Sequence, residues 1–370
     1  MEFKTYKFGE ITANFDKKRI PLSSAQREKR QGAYRYYGAQ GVIDYIDDYI
    51  FDGTYLLIAE DGENLKSKKQ NIAQIATGQF WVNNHAHIVQ GNELCDTKFL
   101  CYLINSMDLS GYITGSAQPK LSQASLNAVD VTIPEIAVQR KIVNYLYALD
   151  QKIETNSRIN DNLYDLLQSV YQLQFGVTSG NAAKGTLADI CSYSKNRIAV
   201  SELSLDNYYS TENMLPGKAG FIEATSLPTT PQTTRCNAGD VLISNIRPYF
   251  KKIVRCNSEG GCSTDVLCFA PKTPTYSAYL FCTLYADRFF DFMVAGSKGT
   301  KMPRGDKQQI MTYPVYIPEE SELTAFADFA AQILSQIHNN NGENARLAQL
   351  RDTLLPKLMS GEIDVSAIAV

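Results

Sequence analysis

The feature that most constrains the fold is an internal duplication, in which the second half of the chain repeats the first. Ile133-Pro134-Glu135 recurs 184 residues later as Ile317-Pro318-Glu319. Each copy ends an alternating, strand-like run and opens a long helical segment. A proline is tolerated there because its missing N–H would be unpaired in the first helical turn. We therefore expect a chain of 370 residues to contain two copies of one domain.

Long helices with matching apolar seams are predicted after both copies. Apolar residues and asparagines recur at alternating spacings of four and three, which is a heptad pattern. The seam residues are Ile142, Leu149, Ile153, Asn156, Asn160 and Leu163 in the first helix and Ile333, Ile337, Asn340, Asn344 and Leu347 in the second. Helices of about 40 residues would extend about 60 Å.

The direction in which these helices pair is predicted from connectivity. The first helix must deliver the chain to a second domain and the second can return, which favours an antiparallel coiled coil. The heptad pattern by itself also fits a parallel pair. A third possibility is that each is an ordinary amphipathic helix docked on its own domain.

The segments before the helices also match, which predicts two similar mixed α+β domains. Turn-and-strand runs at 53–59 and 239–244 correspond, as do short apolar helices at 99–103 and 279–283. Polar, basic loops follow at 115–121 and 296–302. The predicted order is domain 1 (1–134), first long helix (135–175), linker (176–185), domain 2 (186–317), second long helix (318–360) and C-terminal tail (361–370).

Composition and motifs argue against several other classes of protein. The apolar runs are far shorter than the roughly 20 residues of a membrane span, and the N-terminus lacks a signal-peptide core, so we expect a cytoplasmic protein without a membrane partner. Eight cysteines form no Cys-x-x-Cys pair, which favours free thiols and no metal site. We interpret His85 and His87, alternating on a probable strand, as one exposed and one packed residue. Phosphate-loop, dinucleotide, zinc-protease and nucleophile-elbow motifs are missing, so no catalytic residue is assigned.

The distribution of charge suits nucleic acid better than the formal net charge of −3 does. Arg and Lys bind guanine and phosphate, and Asn and Gln bind adenine. The candidate DNA contacts are Lys17, Lys18, Arg19, Lys29, Arg30, Arg35, Lys68, Lys69, Gln118 and Lys120 in domain 1 and Arg235, Asn245, Arg247, Lys251, Lys298, Lys301 and Arg304 in domain 2. For any single residue, a solvated surface position is the competing interpretation.

Over nearly its whole length the chain resembles the specificity subunits of type I restriction–modification systems. The resemblance rests on Ile133-Pro134-Glu135 leading through Gln139-Arg140-Lys141 to Leu149–Glu154, and on the ending Leu354–Ile363. It implies two target-recognition domains, each reading half of a split double-stranded DNA target. It also implies that the helices set the spacing of the half-sites and dock two methyltransferase subunits. Because 321–325 lacks the Gln-Arg-Lys run, docking is expected to be less symmetric than the duplication.

The resemblance further implies a chain that is not an enzyme and binds no cofactor. S-adenosylmethionine would be held by the methyltransferase, which would flip and methylate an adenine. A translocating endonuclease subunit would complete a restriction complex. Two other functions stay open from the sequence: a coiled-coil scaffold that does not bind DNA, and a DNA methyltransferase or nuclease whose motif has diverged.

Overall fold

The computed structural model describes residues 2–115, 118–176 and 185–366. It divides into two compact units, one formed by Met1–Glu154 with Asn344–Val370 and the other by Thr155–Glu343. Each unit therefore contains one of the two domains together with part of both long helices. Residues 177–184 of the predicted linker and 367–370 of the predicted tail lie outside the described residues.

Domain 1 contains strands, most of which form one mixed sheet, and several short helices. The strands are β1 (Phe3–Lys7), β2 (Thr12–Asn14), β3 (Gln31–Gly38), β4 (Gly41–Ile46), β5 (Phe51–Ala59), β6 (Ala73–Val82), β7 (Ala86–Gly91) and β8 (Asp130–Pro134). The helices are α1 (Ser24–Glu28), α2 (Asn64–Ser67), α3 (Thr97–Ser106) and α4 (Gln123–Asn127). Six strands form a sheet in the order β2-β7-β5-β6-β3-β4, and β1 pairs with β8 separately. Only β3 and β6 run parallel within the larger sheet.

The central strand β5 is held from both faces. Leu56 and Ile58 belong to the same apolar core as Phe99 of α3, while Leu57 packs on the opposite face with Phe80. A continuous apolar run is typical of a strand that is buried on both sides. The end of β5 is consequently a fixed point from which polar side chains project.

Domain 2 repeats this arrangement with shorter strands. They are β9 (Gly185–Thr186), β10 (Cys191–Tyr193), β11 (Arg197–Ala199), β12 (Tyr208–Tyr209), β13 (Gln232–Cys236), β14 (Val241–Ser244), β15 (Ile253–Arg255), β16 (Gly260–Cys262), β17 (Val266–Pro271) and β18 (Pro314–Val315). Its helices are α6 (Leu187–Ile190), α7 (Tyr276–Tyr285), α8 (Asp287–Ala295) and α9 (Lys307–Met311). Strand β14 lies between β17 and β15 as β5 lies between β7 and β6. Strand β16 pairs in parallel with β12 as β6 does with β3. Domain 2 divides its strands between two four-stranded sheets, β10-β17-β14-β15 and β11-β13-β16-β12, where domain 1 has one six-stranded sheet. The duplication therefore extends to these strand pairings but not to the whole sheet.

The long helices, α5 (Ile136–Phe175) and α10 (Glu320–Ser360), start and end close to the predicted boundaries. Within the second unit, Asn340 Nδ2 donates to Asn160 Oδ1 at 2.7 Å and Asn156 Nδ2 donates to Glu343 at 2.7 Å. Earlier residues of α5 thus meet later residues of α10. The antiparallel pairing predicted from connectivity is confirmed.

The predicted seam is the buried side of both helices. Ile142, Asn156, Asn160, Ile333, Ile337 and Asn340 are buried, and Leu149, Ile153, Leu163, Asn344 and Leu347 are half-buried. Within the first unit, Arg351 Nη1 donates to Asp150 at 2.8 Å, and Tyr102 of α3 donates to the same carboxylate. These bonds attach α3 to the helix pair of that unit.

The two helix starts differ in internal packing, and the predicted asymmetry of partner docking stays a prediction. Gln139 is fully buried, where its amide donates to the Leu94 and Pro134 carbonyls at 2.9 and 2.8 Å and accepts from Asp96 N–H at 2.9 Å. Leu323 occupies the matching position of α10 and is buried in the apolar core of its own unit. Gln139 therefore joins the start of α5 to the loop before α3 inside domain 1.

None of the described helices combines the length and apolar character that crossing a bilayer requires.

Candidate nucleic-acid interface

Each domain folds a short segment back onto the end of its central strand. In domain 1 this is Gln118–Leu121, called segment 118–121 below. Lys120 and Thr114 exchange two backbone hydrogen bonds of 2.8 Å, and Leu121 N–H donates to the Glu60 carbonyl at 2.8 Å. Gly62 N–H donates to the Pro119 carbonyl at 3.1 Å. The segment is thereby fixed to the residues that follow β5.

Domain 2 repeats these contacts in Met302–Gly305, called segment 302–305. Arg304 and Lys298 exchange two backbone hydrogen bonds of 2.9 Å, and Gly305 N–H donates to the Asn245 carbonyl at 3.3 Å. Arg247 N–H donates to the Pro303 carbonyl at 2.8 Å. Each segment leads into a side-chain-capped short helix, with Ser122 at the start of α4 and Asp306 at the start of α9. The structure therefore places equivalent basic segments at equivalent strand ends.

A group of buried charges lies beneath segment 118–121. The Arg19 guanidinium contacts Glu60 at 2.7 Å and Asp16 at 3.5 Å, and Lys120 Nζ contacts the other Glu60 oxygen at 3.3 Å. His87 Nδ1 lies 2.6 Å from Asp16 Oδ2, and its Nε2 lies 2.8 Å from the Leu121 carbonyl oxygen. We call Asp16, Arg19, Glu60 and His87 the buried charge cluster.

The pKa values of Asp16, Glu60 and His87 each shift in the direction that keeps the group charged. Burial would raise the pKa of Asp16, but hydrogen bonds from His87 and from Ile88 N–H outweigh it and lower that pKa. Burial likewise opposes the charge of Glu60, whose pKa is lowered by Arg19 and His87. For His87, burial favours the neutral ring, yet the bonds to Asp16 and Leu121 raise its pKa. Opposite charges and hydrogen bonds thus exceed the desolvation penalty.

The second domain uses different side chains at the same place. Arg304 pairs with Asp265 at 3.0 Å and Lys298 with Asp306 at 2.5 Å, and all four groups are partly exposed. Leu267 of β17 occupies the position that His87 occupies in β7, and it is buried among apolar side chains. Asn245 Oδ1 and Arg247 Nε are buried without a hydrogen-bond partner in the structure. Unpaired buried polar atoms are uncommon in folded proteins, and one explanation for them is a polar group that binds at the site.

A second loop of domain 2 has unusual backbone geometry. Arg247 and Lys251 adopt left-handed φ values of +50° and +51° on either side of Pro248–Phe250. Tyr249 and Phe250 are exposed at this turn. Non-glycine residues in the left-handed region cost free energy and cluster at functional loops, so this turn belongs with the candidate interface.

The predicted DNA contacts fall into four groups according to their exposure and ion pairing. The first group is exposed and consists of Lys17, Lys18, Lys29, Arg35, Lys69, Lys301 and the neutral Gln118. Within the described ranges, no carboxylate lies within ion-pair distance of its six cations. Arg30, Lys68, Lys120, Arg235, Lys251, Lys298 and Arg304 are wholly or partly exposed but paired with acidic side chains. Arg247 is half-buried in the strained turn.

The fourth group consists of Arg19, which is half-buried, and Asn245, which is buried. The Arg19 guanidinium pairs with Glu60 and Asp16 and donates a hydrogen bond of 2.9 Å to the Ala86 carbonyl. Asn245 is only 7% exposed because segment 302–305 covers it. Asn245 accepts a backbone hydrogen bond from its segment, and Arg19 acts on its segment through Glu60, which also pairs with Lys120. Sequence reasoning missed Asp16, Glu60 and Asp265 as members of the site, since no motif connects residues so far apart in the chain.

Among the described residues, both metal-ligating side chains and cysteines can carry reactive chemistry next to the polar groups of the interface. No group of three or more His, Cys, Asp or Glu side chains with metal-binding geometry occurs among them. The eight cysteines are free thiols, and all but Cys101 are buried. Burial raises the pKa of Cys101 to about 12. A thiol in such surroundings is a poor nucleophile.

Comparison with known proteins gives a consistent family. Residues 1–164 match the sequence model of the type I restriction modification DNA specificity domain. A Haemophilus influenzae protein named for a type I restriction enzyme specificity subunit is 37% identical over 131 residues, which span 35% of this chain and 33% of that relative. The EcoDI specificity subunit of Escherichia coli is 22% identical over 424 aligned residues, covering 98% of this chain and 89% of the relative.

A solved structure adds evidence on the fold alone. The S subunit of a type I restriction–modification system from M. genitalium superposes with a TM-score of 0.58 at 14% identity, over 96% of each chain. At that identity the likeness extends to the arrangement of helices and strands and no further.

Proposed function

We propose that this chain is the DNA target-recognition subunit of a type I restriction–modification system, because residues 1–164 match the specificity-domain model and the EcoDI specificity subunit aligns over 98% of the chain. Each domain would read one half of a split target in double-stranded DNA. The chain would have no catalytic centre of its own. The two alternatives, a scaffold that binds no DNA and a diverged methyltransferase or nuclease, are not favoured by the family.

The observation that carries this proposal is the repetition of one basic segment at one strand end in both domains. Equivalent backbone hydrogen bonds fix segments 118–121 and 302–305, which carry Lys120 and Arg304 at equivalent positions. Basic side chains position a protein on phosphates, and arginine also pairs with guanine in the major groove. Two equivalent readers suit a target that has two parts.

Exposed lysines would supply the phosphate contacts around each segment. Lys17, Lys29 and Lys69 in domain 1 and Lys301 in domain 2 are exposed. Each lysine that displaces a counterion from DNA adds to affinity and steepens its salt dependence. The cations that already pair with Asp or Glu would have to exchange that partner for a phosphate.

The long helices would dock methyltransferase subunits. On the part of α5 in the second unit, Ile159, Leu166 and Leu173 recur every seven residues and are exposed, Leu173 to 76%. A stripe of exposed apolar side chains at heptad spacing favours a helical protein partner. We propose two methyltransferase subunits, which would bind S-adenosylmethionine and modify adenine, and an endonuclease subunit in a restricting complex. The helices would also fix the gap between the half-sites.

Methylation mapping tests the proposal. The chain would be co-expressed with the methyltransferase subunit encoded beside it, in a host without adenine methylation, and the genome read by long-read sequencing. We expect methylated adenines within a motif of two short half-sites around a fixed gap. The methyltransferase subunit expressed alone is the control and should leave the motif unmodified. A stable complex of both subunits that methylates no motif would contradict DNA recognition and favour the scaffold.

A further inference from the structure

We propose that His87, in its charged form, is a positioning residue that fixes segment 118–121 of domain 1 for contact with DNA. This inference rests on the proposed function, because the segment matters only if domain 1 reads DNA. His87 itself is 1% exposed, so it can affect DNA binding only through the groups that it contacts.

Because the pKa of Asp16 is lowered by its hydrogen bonds from His87 and Ile88 N–H, Asp16 is ionised, and the geometry then calls for a doubly protonated ring. Nδ1 faces a carboxylate oxygen of Asp16 at 2.6 Å, and Nε2 faces the Leu121 carbonyl oxygen at 2.8 Å. A carbonyl can only accept, and Asp16 also accepts from Ile88 N–H at 2.8 Å. A neutral imidazole has a single N–H and would leave one of these two oxygens facing a lone pair. The charged ring satisfies both acceptors.

The charges around His87 come from each element that surrounds it. Asp16 lies in the turn 16–18 before Arg19, and Glu60 follows β5, with an oxygen 3.9 Å from His87 Nδ1. Lys120, in the segment itself, contacts Glu60 on its exposed side. Two carboxylates therefore face His87 and are shared with Arg19 and Lys120. The exposed His85 pairs instead with Asp61, at 2.7 Å.

His87 adds an anchor that the second domain lacks. Three backbone attachments of segment 118–121 recur in segment 302–305, namely the two-bond exchange, the bond to the strand end and the bond to the proline carbonyl. The fourth, from His87 to the Leu121 carbonyl, has no equivalent, because Leu267 cannot donate a hydrogen bond. Segment 118–121 is thus fixed through a side chain that can lose its proton.

Loss of that proton would loosen the segment. Without it, either the Leu121 carbonyl or Asp16 loses its donor, and Glu60, which also holds Lys120, loses a neighbouring positive charge. Gln118 and Lys120, the exposed candidates in this segment, would then be less well placed. Preorganisation of contact residues contributes to affinity because ordering them on binding costs entropy. DNA affinity through domain 1 should therefore fall as pH rises through the pKa of His87, which lies above its ordinary value.

The test uses the full chain bound to its methyltransferase subunit and a duplex carrying the mapped split motif. Wild-type methylation of that motif establishes the proposed function first, so that a negative result below counts against His87 alone. Dissociation constants would be measured from pH 6.5 to 8.5 at fixed salt. Three duplexes are compared, one cognate and two with either half-site scrambled.

We expect His87→Gln to weaken cognate binding about tenfold at pH 6.5 and to remove discrimination at one half-site only. Wild-type affinity should fall with rising pH relative to His87→Gln, whose profile should be flat. His85→Gln is the matched control, because that histidine pairs with Asp61 at the surface; it should behave as wild type. Fluorescence of Trp81, the sole tryptophan, reports whether domain 1 of each variant is folded.

Two results would overturn the inference. One is a folded His87→Gln variant with wild-type affinity and the same pH profile. The other is an equal loss at both half-sites, which would mean that His87 supports the protein in general and not segment 118–121.

Discussion

In domain 1, segment 118–121 rests on buried charges, whereas in domain 2 the equivalent segment 302–305 is held by exposed ion pairs. The backbone attachments are the same in both. The side chains beneath them have diverged: His87 is replaced by Leu267 and Glu60 by Asn245. The comparison teaches that a duplicated scaffold can keep its backbone geometry while the chemistry supporting it changes.

The largest difference is expected when one carboxylate is removed from each domain. Asp16→Ala would leave the charge of His87 buried without its partner, which typically costs about 3 kcal/mol or more. Asp265→Ala removes a pair with exposed Arg304 and should cost less than about 1 kcal/mol. Urea unfolding followed by Trp81 fluorescence measures the first, and hydrogen exchange of the full chain compares both domains. Equal losses would show that the buried charges are not what distinguishes domain 1.

A smaller difference is expected at two equivalent glycines. Gly115 and Gly299 both adopt positive φ, +84° and +101°. A Cβ on Gly115 would lie 2.3 Å from the Gln118 carbonyl oxygen, whereas one on Gly299 would lie 3.4 Å from that of Met302. We expect Gly115→Ala to cost about 2–3 kcal/mol and Gly299→Ala about 1 kcal/mol. Local hydrogen exchange near each glycine checks the order, and a reversed order would contradict the geometry.

The pH dependence of stability should also differ between the domains. The raised pKa of His87 contributes stability that is full below its unfolded value and is lost as pH rises through the folded one. The lowered pKa values of Asp16 and Glu60 contribute stability that is lost as pH falls through them. Urea unfolding followed by Trp81 fluorescence should therefore show domain 1 losing stability as pH rises above 6.5, the ordinary pKa of histidine, and His87→Gln should abolish that slope. An unchanged slope in this variant would assign the effect to other groups.

The smallest expected effect separates exposed cations from paired ones. Lys301→Ala should weaken duplex binding modestly for every sequence and reduce the slope of log affinity against log salt by about one. Lys251→Ala is the matched control, because Lys251 already pairs with Asp287 at 2.8 Å. Titrations of the assembled complex at several salt concentrations measure both slopes. A larger change for Lys251→Ala would mean that the pair opens to bind phosphate.

Much of the architecture could be predicted from local patterns in the sequence. Ile133-Pro134-Glu135 and its repeat marked both helix starts, and the predicted heptad seams included Asn160 and Asn340, which form a hydrogen bond between the two helices. These features follow from periodicity, which is a property of a few consecutive turns of helix or strand. The lengths of short strands were harder to predict from the sequence, as at β18, which has only two residues.

The sequence by itself thus determined the duplication, the α+β class, the two long helices and the types of residue available to bind DNA. Tertiary structure alone decided that Arg19 is half-buried in ion pairs, that Asn245 is buried, and that Asp16 reaches His87, 71 residues away. It also decided that Glu60 is shared by Arg19 and Lys120. The physical reason is that burial and ion pairing depend on which distant strands and loops meet, and local periodicity carries no information about that meeting.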